Sequence, residues 1–291
     1  MIYRQRDGKE IIIQSKQDAF LAKIYNCKCG RMLMKILSNH KISEFAGLFL
    51  NSKASKIFIN SFVKKNNIPL YEYTKKQFCS YNDFFSRKIK SVYRPIDMIS
   101  NHFIAPCDSK LTIYQIDQQS MFQIKHSKYS VESLLKSKNL AKHYNGGYCA
   151  IFRLTVDNYH RYCYVDSGKK SVNKSIPGFL NTVNPVILNY VNIYKENSRE
   201  YTLLKTDHFG TVIQIEIGAL MVGKITNYHQ RKNIKKGEEK GRFEFGGSTI
   251  VLLIQPNKVE FDNDILENTN QNIETIVRMG EKIGVTYKKT N

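Results

Sequence analysis

The sequence predicts an α+β protein in which amphipathic N-terminal helices precede a mainly antiparallel β core interrupted by a glycine-rich turn. Three observations lead there. Apolar residues recur at helical spacing from about Gln17 to Lys65, and beyond Arg94-Pro95 the pattern changes to short β-rich runs separated by Gly, Asn, Asp and Pro. Within the last strongly apolar stretch, Gly246-Gly247-Ser248-Thr249 breaks the run.

The helical positions are Leu21, Ile24 and Tyr25, then Met32, Leu33, Ile36 and Leu37, then Ile42, Phe45, Ala46 and Phe49. Stripes of this kind usually pack on a core. Lys23, Lys28, Arg31 and Lys35 flank this one, which also suits an anionic membrane surface. Downstream, Leu111 to Ile116, Tyr148 to Val156 and Thr211 to Ile217 read as strands. Ile213, Ile215 and Ile217 alternate with Gln214 and Glu216, the period of a half-buried strand. Phe243 to Phe245 and Ile250 to Ile254 read as two strands joined through Gly246 to Thr249, with no internal repeat or low-complexity linker.

A chain of 291 residues with 42% hydrophobic and 12% aromatic content can bury one large core or two small ones. Neither a run of about 18 apolar residues nor the apolar centre of a signal peptide is present, so a cytoplasmic, non-spanning protein is expected. The six cysteines form no CxxC pair with a matching second half and read as reduced thiols; the Cys27-Lys-Cys29 pair is a poor metal site. The formal charge of +20 fits a lysine-rich solvated surface, an anionic membrane face or nucleic acid, and charge alone does not choose.

Ser248 follows two glycines and is sterically open to the carbonyl on its own N-terminal side, although such a segment is most often only a bulge or turn. His160 lies in Arg153-Leu-Thr-Val-Asp-Asn-Tyr-His-Arg-Tyr-Cys163, just after a strand. It reads either as a hydrogen-bonded surface histidine or as a general acid or base. Asp108 follows Ala105-Pro106-Cys107 and reads either as a turn aspartate or as a carboxylate that orients a base or accepts a proton.

The order of these segments resembles the phosphatidylserine decarboxylase proenzyme family. The similarity runs from Phe78-Cys-Ser-Tyr-Asn-Asp-Phe-Phe-Ser-Arg87 and Arg94-Pro95 through Ala105-Pro-Cys-Asp108, Tyr159-His160-Arg161 and Val183-Asn184-Pro185. It continues with Ile217 to Gly223, Lys236-Gly237, Phe245-Gly-Gly-Ser-Thr249 and Glu274 to Gly284.

The resemblance implies a catalytic domain over 78–291, a helical and membrane-associating region over 1–77, and self-cleavage between Gly247 and Ser248 into 1–247 and 248–291. It implies that Ser248 becomes a covalent pyruvoyl cofactor, which acts as the electron sink for decarboxylation of phosphatidylserine to phosphatidylethanolamine. It implies catalytic roles for Asp108, His160 and Ser248, with no metal. The implied partners are phosphatidylserine in an anionic membrane on the cytoplasmic face, the two fragments with each other, and a second copy in a homodimer, without nucleic acid. The family pattern His-Arg-x-His departs here at Cys163, so the processing base is left among His160, Cys163 and Asp108. Two other readings compete: a pyruvoyl decarboxylase of a soluble amino-acid derivative, and a non-catalytic basic β module.

Overall fold

A computed structural model describes residues 2–12, 40–117, 122–124, 127–178, 198–218, 224–244 and 248–288. Its centre is one large, mainly antiparallel sheet. The strands that matter for the site are β1 (Ile2–Arg4), β2 (Ser109–Gln115), β3 (Tyr148–Leu154), β4 (Arg161–Cys163), β5 (Arg199–Thr206), β6 (Thr211–Ile217), β7 (Glu239–Phe243), β8 (Ser248–Ile254) and β9 (Glu274–Val277). In the large sheet they run β5-β6-β8-β3-β2-β9-β1, while β4 and β7 pair in a small sheet with Ile225–Asn227.

Alternation sends Ile213, Ile215, Ile217, Val251 and Leu253 to one face, where α4 (Val131–Leu135) and α5 (Lys138–Lys142) cover them with Val131, Leu134, Leu135 and Ala141. Leu111, Phe152, Leu154, Ile250 and Leu252 face the other way and pack against Tyr162, Cys163 and Phe243 of the small sheet.

Burial on both faces corrects the half-buried reading of Thr211 to Ile217. Gln214 and Glu216 are fully buried, because the small sheet lies over them and supplies Lys240, whose Nζ donates to Glu216 Oε1 at 2.7 Å. Burial pushes the Glu216 carboxyl up and the Lys240 ammonium down, as it must for charges withdrawn from water.

The join after Phe243 is also different from expectation. Ser248 and Thr249 belong to β8 rather than to a turn, since both are in register with Leu154 and Arg153 of β3. β7 ends at Phe243 and sits in the other sheet, and 245–247 lie outside the described residues.

The N-terminal region is not helical throughout. β1 adds to the large sheet in parallel with β9 and in antiparallel with Glu10–Ile12. The helices predicted from Gln17 to Ser38 lie outside the described residues, whereas α1 (His40–Asn51) and α2 (Ile57–Lys65) follow the apolar stripe. Helix α3 (Tyr81–Phe85) starts at Ser80, whose side chain accepts from the Asp83 N–H as an N-cap. Ile59, Ile68, Tyr73, Phe78, Phe84 and Phe85 form one cluster with Tyr159, so residues on both sides of position 77 share a core that leans on the segment carrying His160.

Candidate active site

Lys110, Arg153 and Thr249 stand side by side across β2, β3 and β8. Asp108 just precedes β2 and Ser248 begins β8, so both lie at the same end of three adjacent strands. Two strand spacings of about 4.8 Å separate those strands, which sets the backbones roughly 10 Å apart. Ser248 is fully buried, on the face it shares with Leu154 and Ile250. Gly247 lies outside the described residues.

A fourth strand, β4, is tied at one end to this row and at the other to β7 of the small sheet. The Phe243 N–H donates to the His160 carbonyl and the Cys163 N–H to the Pro106 carbonyl, both at 2.9 Å. The chain reaches β4 from β3 through a polar turn. There Asn158 Oδ1 accepts from the Thr155 N–H and hydroxyl, each at 2.9 Å, which closes the turn locally. His160 therefore sits beside the end of β7, and Cys163 beside the segment that leads into Asp108.

Asp108 is 5% exposed and fully engaged. Arg94 grips it side-on, with Nε 2.8 Å from Oδ1 and Nη2 2.6 Å from Oδ2, and the Met279 N–H donates to Oδ1 at 2.9 Å. This charge-assisted fork fixes the carboxylate plane. The role of Arg94 was invisible in the sequence beyond its place in Arg94-Pro95.

His160 is 1% exposed. Its Nδ1 lies 2.9 Å from the Asn158 carbonyl, an acceptor only, so Nδ1 carries the proton and Nε2 the lone pair. Nε2 is buried without a partner. Phe85 packs its ring 4.1 Å from the imidazole, and burial drives the His160 pKa down to about 3. Neutral imidazole is thus the resting form at pH 7.

Cys163 is equally buried, and burial pushes its thiol up to about 12. The neighbouring cation, Arg161, is engaged elsewhere, with the Ser86 carbonyl at 2.9 Å and Glu239 at 2.6 Å. Cys163 therefore rests as a thiol. Among the described residues no cluster of three or more His, Cys, Asp or Glu could hold a metal, and Cys27 and Cys29 lie outside them.

The model of the phosphatidylserine decarboxylase family matches residues 81–285. Phosphatidylserine decarboxylase proenzyme 2 of Clostridium acetobutylicum is 47% identical over 97% of each chain. The proenzymes of Clostridium tetani and Ruminiclostridium cellulolyticum are 40% and 39% identical, over 98% and 97% of this chain and 98% and 96% of theirs. A family match across most of the chain and near-full-length relatives well above 30% identity agree with the serine, aspartate and histidine segments just described, and the chain belongs to the phosphatidylserine decarboxylase proenzyme family.

Proposed function

We propose that Ser248 is the self-cleavage nucleophile and the source of the pyruvoyl group, that Asp108 accepts the processing proton, and that His160 serves turnover. The activity is that of the family, conversion of phosphatidylserine to phosphatidylethanolamine and carbon dioxide. The single observation that carries the residue assignment is the shared strand end: Ser248 and the Asp108 segment terminate level with each other, and Cys163 is tied to the Asp108 segment through the Pro106 carbonyl.

In processing, Ser248 Oγ attacks the Gly247 carbonyl carbon as its proton leaves toward Asp108. Cys163, as a buried thiol, is a poor base at neutral pH. The acyl group moves from nitrogen to oxygen. Loss of the Ser248 α-proton then expels the Gly247 carboxylate, and hydrolysis of the residual dehydroalanine releases ammonia and leaves a ketone at position 248.

The residues fit such a group. Position 248 is buried away from water, and His160, also buried, offers an unused Nε2 lone pair. A pyruvoyl ketone supplies the electron sink for decarboxylation. His160 would hold and move the proton of turnover at Nε2, and the Asn158 carbonyl, which accepts from Nδ1–H, would orient the ring for it.

The same reading includes an N-terminal region over 1–77 that seats the catalytic domain of 78–291 on the membrane, with the two fragments held together and a second copy completing a homodimer. No helix among the described residues is long and apolar enough to cross a membrane. Phe45 at 75%, Leu48 at 70% and Ile57 at 74% exposure instead present apolar side chains from α1 and the start of α2, beside a basic surface. Binding to anionic vesicles is expected to fall as salt rises and to weaken in a Phe45→Asp/Leu48→Asp variant; equal binding to neutral vesicles contradicts the electrostatic part.

Replacing Ser248 by Ala tests the core of the proposal. Alanine has no nucleophile, so one full-length chain is expected on a denaturing gel, and normal cleavage rules the serine out.

A further inference from the structure

Of the three buried arginines among the described residues, Arg87, Arg153 and Arg199, two fill their side-on edge, Nε with Nη2, as the half-buried Arg94 also does. Arg94 uses it on Asp108 and Arg153 uses it on both oxygens of Glu274. Arg199 points the same two nitrogens at the carbonyls of Leu134 and Ser133.

Arg87 is the exception. It is 2% exposed, its Nη1 donates to the Phe84 carbonyl at 3.3 Å, and Nε and Nη2 have no partner. Its guanidinium carbon lies 4.6 Å from the ring centres of both Tyr73 and Phe84, which softens the burial of the charge but binds only its faces. The edge remains vacant, although a buried donor without an acceptor costs free energy.

Two further observations aim this edge at a ligand of the catalytic centre. Arg87 acts electrostatically on His160, opposing its protonation, and Phe85, two residues earlier, packs on the imidazole. His160 Nε2 is itself buried without a partner. A cation with a vacant fork therefore neighbours a base with a vacant lone pair. The residues beside them, Lys88, Ile89 and Tyr159, line an open concavity that also takes in Cys163 and Arg94.

We propose that Arg87 binds the phosphodiester of the phospholipid headgroup through its Nε/Nη2 edge and so sets the headgroup against His160. The inference rests on the assignment of His160 and Ser248 above. Both the substrate phosphate and the substrate carboxylate carry a pair of anionic oxygens that match the fork. The phosphodiester is the occupant because the carboxylate loses its charge as carbon dioxide departs. A bidentate grip on it would hold the reactant more tightly than the transition state, whereas the phosphodiester keeps its charge throughout.

The test uses processed wild-type and Arg87→Lys enzyme with dihexanoyl phosphatidylserine as substrate and dihexanoyl phosphatidylethanolamine as ligand. Lysine keeps the charge and the aliphatic stem and loses the planar fork. The substrate KM and the calorimetric Kd of the phosphatidylethanolamine should rise together, on the order of 10- to 100-fold, with kcat changed far less. A rise in KM alone assigns the fork to the carboxylate and overturns the proposal, as does no change in either. A wild-type measurement stands beside it should the variant fold poorly: a phosphate-methylated, uncharged phosphatidylethanolamine should bind at least tenfold more weakly than the diester, and equal binding overturns the proposal. A denaturing gel of the same samples separates this from the parent reading, because an uncut wild-type chain strikes self-cleavage whereas a cut chain with unchanged affinities strikes only Arg87.

Discussion

The two ends of β4 differ in kind. At the Cys163 end lies Asp108, a carboxylate locked by Arg94 and the Met279 N–H. At the other end lies His160, held at one nitrogen, packed on Phe85 and left with a bare Nε2. A fixed charge suits a step performed once, on a peptide bond that the fold itself holds in place. An unoccupied neutral imidazole suits a step performed repeatedly on an arriving substrate. The contrast implies that processing and turnover draw on opposite ends of one short strand, and that mutations should separate them.

The largest separation is expected at His160. His160→Ala should still yield two fragments while carbon dioxide release falls by about 10²- to 10⁴-fold, the usual worth of a positioned acid–base group. Loss of both activities together would make His160 the processing base and erase the distinction. Asp108→Asn should show the reverse pattern, with cleavage slowed on the order of 10²-fold and the cleaved fraction turning over normally. Pulse–chase gels and product release on the same samples report both numbers. Cys163→Ser should change either rate by less than about threefold, because a buried thiol whose pKa is raised to about 12 contributes little base at neutral pH.

A smaller effect concerns stability. Burial lowers the His160 pKa from 6.5 to about 3, so below pH 6.5 the unfolded chain binds a proton that the folded chain refuses. This contribution is neutral above the unfolded value and becomes increasingly destabilising as pH falls from about 6.5 toward 3. Urea midpoints of uncut Ser248→Ala protein at pH 7 and pH 5 should therefore differ more than those of the Ser248→Ala/His160→Gln double variant. Equal differences would mean that His160 is solvated.

Much of this was legible in the residues. Thr211 to Ile217 reads as a strand with the bounds it has, because alternation is a local signal. The burial of Gln214 and Glu216 is not legible there, since it depends on Lys240, which arrives from another sheet. Asp108, His160 and Ser248 stood out through their motifs, but the Arg94 fork on Asp108 and the vacant Nε2 are tertiary facts that spacing does not encode. The glycine turn drew attention to Ser248 while misplacing it. With Thr249 it completes a strand whose partner, β3, lies almost a hundred residues upstream.

Intact-mass spectrometry of the protein as expressed tests the central claim most directly. The account predicts two species: residues 1–247 ending in a free Gly247 carboxylate, and residues 248–291 beginning with a pyruvoyl group that one equivalent of hydroxylamine converts to an oxime. A single chain at the full-length mass, unreactive to hydroxylamine, would contradict it.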